Sequence, residues 1–171
     1  MENKVTSPAI KGLIISLVLI VYSLIIQFGH LEGNKALNSF NMIFFFGSII
    51  YCGVLYAKQM NHNVTYGAVF TDSFKTSAAV AAIMVVFTII SIKILFPESM
   101  DKALQMAQSE MEKGSASDEQ IESAMKLTRK FFVPFAIGGA LLAYIIVGVI
   151  ASLIGAAAAK KNPQDPFVQQ G

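Results

Sequence analysis

The sequence predicts an all-α integral membrane protein. It should have four transmembrane helices, with a polar helical hairpin between the third and the fourth. Two observations carry this. Hydrophobic residues make up 54% of the chain and charged residues only 14%, where soluble domains are usually about 25% charged. The charges are also fenced: none occurs between Lys11 and Glu32, Lys35 and Lys58, Lys75 and Lys93, or Lys130 and Lys160. A spanning helix needs about 20 mostly apolar residues. In lipid every backbone N–H and C=O must find a partner within the protein, so each such run should be helical.

With 171 residues the chain reads as one unit, residues 1–171. The first span, about 9–29, holds "GLIISLVLIVYSLIIQF". Lys4 and Lys11 precede it as in a signal peptide, but "GHLEGNKAL" follows without a small-x-small cleavage site, so it should be a retained span. The second, about 37–58, holds "MIFFFGSIIYCGVLYA". The third, about 72–96, holds "KTSAAVAAIMVVFTIISIKILF". The fourth, about 131–159, runs from Phe131 to Ala159. At 1.5 Å per residue it is about 43 Å long, more than a hydrocarbon core of about 30 Å, so it should tilt or project. Pro134 should sit in its first turn, where a missing N–H costs little.

Lys75 and Lys93 enclose 17 residues, about 26 Å of helix. Both can therefore snorkel to opposite headgroup layers. Asp72, three residues before Lys75, should form a surface pair with it. Asp72, Lys75 and Lys93 are thus candidate interfacial anchors. This reading is preferred to one in which Asp72 and Lys75 face a polar cavity or a partner. Thr65 is a candidate N-cap, and Tyr66, Phe70 and Phe74 a candidate stripe lying in the interface before the third span.

Between the third and fourth spans lies the polar insert, residues 97–130. Pro97 disfavours helix at Phe96. Met100, Leu104, Ala107 and Met111 then recur at helical spacing. Gly114 and Ser115 interrupt. Ser117 followed by Gln120 resembles a capping box, and Ile121, Met125, Thr128 and Phe132 form a second stripe that feeds into the fourth span. The two stripes should pack on each other or on the span ends. Met100, Leu104, Met111, Ile121 and Met125 also make a candidate partner-docking stripe. The methionines of the insert do not share one face, which sets aside a methionine-lined copper site.

Helices in lipid associate through close backbone contact, which small residues permit. Four-residue spacing of small side chains marks Gly12 and Ser16, Ser48 and Cys52, Ala78 and Ala82, and Gly148, Ser152 and Ala156 as candidate helix-packing positions. A lone cysteine, Cys52, excludes an internal disulfide. His30 and His62 fall in loops on opposite sides of the expected topology, so they cannot share a metal. There is no phosphate-binding glycine loop and no nucleophile–base pair. No ionisable residue is expected at a span centre, the usual mark of an ion pathway. The reading is therefore of no catalytic constellation, no metal and no cofactor. A net charge of +2 leaves no footprint for nucleic acid. The expected partners are the lipid bilayer and either further copies of the chain or other membrane proteins.

Four spans place both termini on one side. Lysines near the spans weigh most in setting orientation. Lys4 and Lys11 outweigh Lys35, and Lys160 and Lys161 agree, while Arg129 and Lys130 oppose. The expectation is a bacterial inner membrane protein with both termini cytoplasmic and the insert periplasmic.

The stretch "YAKQMNHNVTYGAVFTDSFKTS" after two spans, the acidic insert, and a last span ending "ASLIGAAAAKK" resemble the bacterial membrane family called domain of unknown function 4199, found mainly in Bacteroidota. The likeness covers nearly the whole chain. Its most distinctive part is "VTYGAVF", similar to a Thr-(aromatic)-Gly-x-x-Phe segment of that family. It departs at Asp72 and Ser73, where a less acidic stretch is the pattern. The resemblance implies a four-span inner-membrane protein and brings no catalytic residue with it. The function expected on these grounds is an accessory or scaffolding subunit acting through helix and insert contacts. The alternative is a small transporter or channel component with a Ser/Thr/Gly-lined path.

Overall fold

The computed structural model describes residues 5–31, 34–114 and 117–162. Lys4, Glu32 and Ser115 lie outside the described residues, as does the side chain of Lys35. The described residues are helical without strands. The order is α1 (Pro8–Phe28), α2 (Lys35–Gln59), α3 (Tyr66–Ile90), a π-helical turn (Ser91–Leu95), α4 (Ser99–Lys113) and α5 (Asp118–Ala158). Four helices are long and apolar enough to cross a membrane: Pro8–Phe28, Ser39–Gln59, Tyr66–Leu95 and Asp118–Ala158.

Local chemistry sets the helix ends. Ser7 caps α1 by accepting from the Ile10 amide at 3.3 Å, and Pro8 opens the helix where its missing N–H is harmless. Asn34 caps α2 by accepting from Ala36 and Leu37. Thr65 caps α3 by accepting from Ala68 at 3.1 Å. That cap starts α3 at Tyr66, so the aromatic stripe expected before the third span is part of the span helix itself. Phe70 and Phe74 stack there with ring centroids 5.8 Å apart. At the far end, Pro97 cannot donate to the ladder. The Phe96 amide reaches back to the Ser91 carbonyl at 2.8 Å, a five-residue step that makes the π turn.

The capping box at Ser117 forms. Gln120 donates to Ser117 Oγ at 3.4 Å and the Ser117 amide to Gln120 Oε1 at 3.1 Å. The expectation for Pro134 is corrected. Helix α5 begins at Asp118 and runs on without a break, so Pro134 lies in its interior, where its ring releases the Lys130 carbonyl.

The chain divides into two compact units, Met84–Leu142 and the remainder, Met1–Ile83 with Ala143–Gly171. In Met84–Leu142, Phe96, Leu104 and Ile121 are buried. Asp101 of α4 pairs with Arg129 of α5 at 3.1 Å. Met100, Met111 and Met125 are half-buried. Leu104 and Ile121 are thus packed inside rather than offered to a partner, which corrects their place in the candidate docking stripe.

The other unit packs α1, α2, residues 66–83 and residues 143–158. Its burial pattern departs from that of a soluble protein: beside buried Leu19, Phe45, Ile49, Val69 and Val80 it also buries several polar side chains, while large apolar ones lie outside. Ser16, Ser73, Thr76, Ser77 and Ser152 are buried, while Leu13, Ile14, Leu17, Val18, Val21 and Ile25 of α1 are exposed. Soluble proteins bury such residues and expose polar ones; a lipid-facing exterior removes the reason to do so. The interior is joined by close backbone approach. A Cβ at Gly12 would stand 2.7 Å from Ala79 Cβ, one at Gly155 3.2 Å from Ile50 Cα, and one at Gly53 2.8 Å from Ser73 Oγ. One at Gly148 would collide with Ser77. Ser16 and Ser152 return their hydroxyls to the carbonyls of Gly12 and Gly148, four residues back. Tyr144 meets Phe45 edge-on with centroids 5.0 Å apart.

These contacts place most of the expected packing positions. Gly12, Ser16, Cys52, Gly148, Ser152 and Ala156 are buried, and Ser48 is half-buried. Ala78 and Ala82 are exposed. The buried face of α3 is instead Asp72, Ser73, Thr76, Ser77 and Val80. At about 3.6 residues per turn, Ala78 and Ala82 fall on the opposite side from these.

Gly12→Ala should therefore lower stability by about 1–3 kcal/mol through overpacking against Ala79. Gly138→Ala, where nothing lies within 4 Å of the added carbon, should be neutral or raise it by up to about 1 kcal/mol. Denaturation in mixed detergent micelles, followed by circular dichroism, measures both.

Candidate functional site

The interior face of α1 runs Lys11, Gly12, Ile15, Ser16, Leu19. Lys11 enters it one turn below the Ser7 cap. From α3 comes Asp72, one turn before Thr76. Lys11 Nζ donates to Asp72 Oδ2 at 2.5 Å, with side chains 4% and 7% exposed. Gly12 makes this meeting possible, since its lack of a side chain lets α1 approach Thr76 and Ala79. The Lys11 ammonium also lies 5.4 Å from the centre of the Tyr56 ring of α2, a cation–π contact that helps a desolvated cation. Buried Cys52 lies one turn earlier on α2.

This corrects the expected pairing of Asp72 with Lys75. Asp72 is buried against Lys11, while Lys75 and Lys93 are exposed. The sequence also allowed Asp72 and Lys75 to face a polar cavity or a partner. Both line a cavity of about 490 Å³ with Val5, Thr6, Ser7, Pro8, Tyr56, Gly67, Ala68 and Thr71.

Two further contacts hold this end of the unit together. Thr6 and Gln59 exchange hydrogen bonds: the Thr6 amide donates to Gln59 Oε1 at 3.1 Å, and Gln59 Nε2 donates to Thr6 Oγ1 at 3.0 Å. This pins the segment before α1 to the end of α2. Asn61 and His62 take left-handed conformations, φ 51° and 63°, and turn the chain from α2 towards α3. His62 O accepts from the Asn162 amide at 2.9 Å, and Asn162 Nδ2 donates to Asn61 O at 3.0 Å. Lys161 caps α5 by donating to the carbonyls of Ala156 and Ala159.

A second cavity, about 540 Å³, lies within Met84–Leu142 between α4 and the start of α5. Asp101 of α4 pairs with Arg129 of α5 beside it, and Glu122 pairs with Lys126 one turn along α5. Its charges cancel in exposed pairs, worth little individually. Among the described residues no three His, Cys, Asp or Glu side chains gather in a group that could hold a metal. His30 is exposed, and His62 Nδ1 lies 3.0 Å from the Lys160 carbonyl.

The residue that sequence reasoning missed is Lys11. A signal was present: it shares a helix face with Gly12, Ile15 and Ser16, the small-residue side that must turn inward. A cation on that side needs a buried partner, and Asp72 is the acid nearest a span.

Removing one member of the pair should be costly, because it strands the other charge. Lys11→Met or Asp72→Leu should each destabilise by about 3–5 kcal/mol. The double variant should recover most of that loss, since an apolar pair of similar volume carries no desolvation penalty. A double-mutant cycle by micellar unfolding reads the coupling.

No curated protein and no solved structure matches the chain. A family profile described as "Protein of unknown function (DUF4199)" matches residues 11–161. That match reaches all four apolar helices, the α4 segment, and both members of the Lys11–Asp72 pair. The chain belongs to this family of proteins of unknown function, DUF4199.

Proposed function

We propose that this chain is a small bacterial inner-membrane protein that acts as an accessory or scaffolding subunit, through its helix faces and a polar helical hairpin built from α4 and the start of α5. One observation carries the reading. The interior of the unit formed by α1, α2, the first part of α3 and the last part of α5 is shut by backbone contact at Gly12, Gly53, Gly148 and Gly155, while bulky apolar side chains cover its outside. What such a unit offers to neighbours is surface. The partners are the bilayer and further copies of the chain or other membrane proteins. Both termini are read as cytoplasmic and residues 97–130 as periplasmic: Lys4 and Lys11 outweigh Lys35 and Lys160 and Lys161 agree, against Arg129 and Lys130. No enzymatic role is part of this reading; the one buried acid among the described residues, Asp72, is paired with Lys11.

A second reading, a small transporter or channel component, is favoured by a specific observation. Ser73, Thr76, Ser77 and Ser152 form a buried group of hydroxyl side chains, and Ser73 Oγ has no hydrogen-bond partner among the described residues. A path lined by hydroxyls would need such groups.

Purification of the full chain in mild detergent, followed by native mass spectrometry, should give an oligomer or a complex; monomer alone counts against scaffolding. Liposomes holding the protein should show no added solute flux, and flux lost on Ser152→Ala would favour the transporter. Orientation is read separately. Gln108→Cys on α4 should react with a membrane-impermeant maleimide added outside spheroplasts. Buried Cys52 should give little background, and protection of the introduced thiol until lysis would reverse the topology.

A further inference from the structure

We infer that the cavity beside the Lys11–Asp72 pair is a binding site for a phosphate ester of net negative charge, as distinct from a zwitterionic one, with Lys75 as its principal cation. The formal charges around it are unequal. Among the described residues Asp72 is the only acid lining it, and that carboxylate is already matched by Lys11 at 2.5 Å. Lys75 stands at the rim, exposed, and closes no salt bridge among the described residues. The balance left for an occupant is one positive charge. Hydroxyl groups are among its lining: Thr71, which is exposed, Thr6 and Ser7. The wall from α3 is its first turn, Gly67 and Ala68, at the positive end of a 25-residue helix dipole. Gly67 leaves open space where a side chain would stand. A volume of about 490 Å³ falls within the range of small-ligand sites and has room for a glycerophosphate group.

The surroundings suit a phosphate carried on a lipid. The cavity lies where three helix ends meet: the start of α1, the end of α2 and the start of α3. Ile10 and Tyr66, both exposed, come within two residues of its lining positions and provide apolar surface for acyl chains. A soluble phosphate ester offers the same anionic oxygens, so the experiment separates the two sources. The inference rests on the membrane placement proposed above and goes beyond it by giving the unit a ligand.

The full chain in mild detergent is presented with phosphatidylglycerol or phosphatidylcholine and bound lipid is counted by native mass spectrometry. Phosphatidylglycerol should be retained about tenfold more strongly. Lys75→Gln should abolish that preference, Lys75→Arg should keep it, and Lys93→Gln, at an exposed lysine outside the cavity, should leave it unchanged. Since Lys75 is exposed, an unaltered circular dichroism spectrum accompanies the substitution. Glycerol 1-phosphate is then added as competitor. Displacement assigns the site to phosphate esters in general and persistence assigns it to the lipid; both support a phosphate site. Equal retention of the two lipids, or full retention by Lys75→Gln, overturns it. If the protein still needs detergent in that case, the site alone has failed. A chain soluble in plain buffer would instead overturn the membrane placement.

Discussion

The pairing of Lys11 with Asp72 fixes which faces of α1 and α3 meet. A buried charge without a partner is too costly to keep, so these two side chains must point at each other. Once they do, helical periodicity settles the rest. On α1 the inward side becomes Gly12, Ile15, Ser16 and Leu19, and on α3 it becomes Ser73, Thr76, Ser77 and Val80. The bulky residues of α1 are left facing outward. The pair therefore specifies rotation more than it adds stability, since the attraction between buried charges roughly offsets their desolvation.

Close approach follows from that rotation. Lipid provides no hydrophobic drive for helices to associate, so contact must come from dispersion, which falls off steeply with separation. Glycines at positions 12, 53, 148 and 155 bring backbone against neighbouring helices, and the hydroxyls of Ser16 and Ser152 are satisfied by their own helix carbonyls. The result is an interior in which small and polar groups pack beside Leu19, Phe45, Ile49, Val69 and Val80, under an apolar coat. One consequence is functional: the same packing that closes the interior leaves the polar space at the helix ends, beside the ion pair.

The candidate site and the packing thus share a cause. Lys11 satisfies Asp72 from within, which frees Lys75 to stand alone at the cavity rim. Had Asp72 paired with Lys75 across a turn of α3, the cavity would carry no net charge and Lys11 would be stranded on the small-residue face of α1. The Thr6–Gln59 exchange and the left-handed turn at Asn61 and His62 hold the surrounding segments in place.

Much of this was legible without coordinates. Charge spacing alone determined four apolar helices, because the thickness of a bilayer and the need to pair every backbone group leave few alternatives. The Ser117 capping box and the Thr65 cap are local chemistry and were equally plain. The start of α5 was not: whether the helix of the insert ends before the last span or runs through it depends on continuity across residues 118–134, and Pro134 by itself suits either case. Nor was the inward face of α3. Small residues at four-residue spacing occur on both of its sides, Ala78 and Ala82 as well as Ser73 and Ser77. Only the tertiary structure chose between them, since that choice depends on a partner for Asp72 that lies 61 positions away in sequence, and no local pattern reports which distant charge will be brought near.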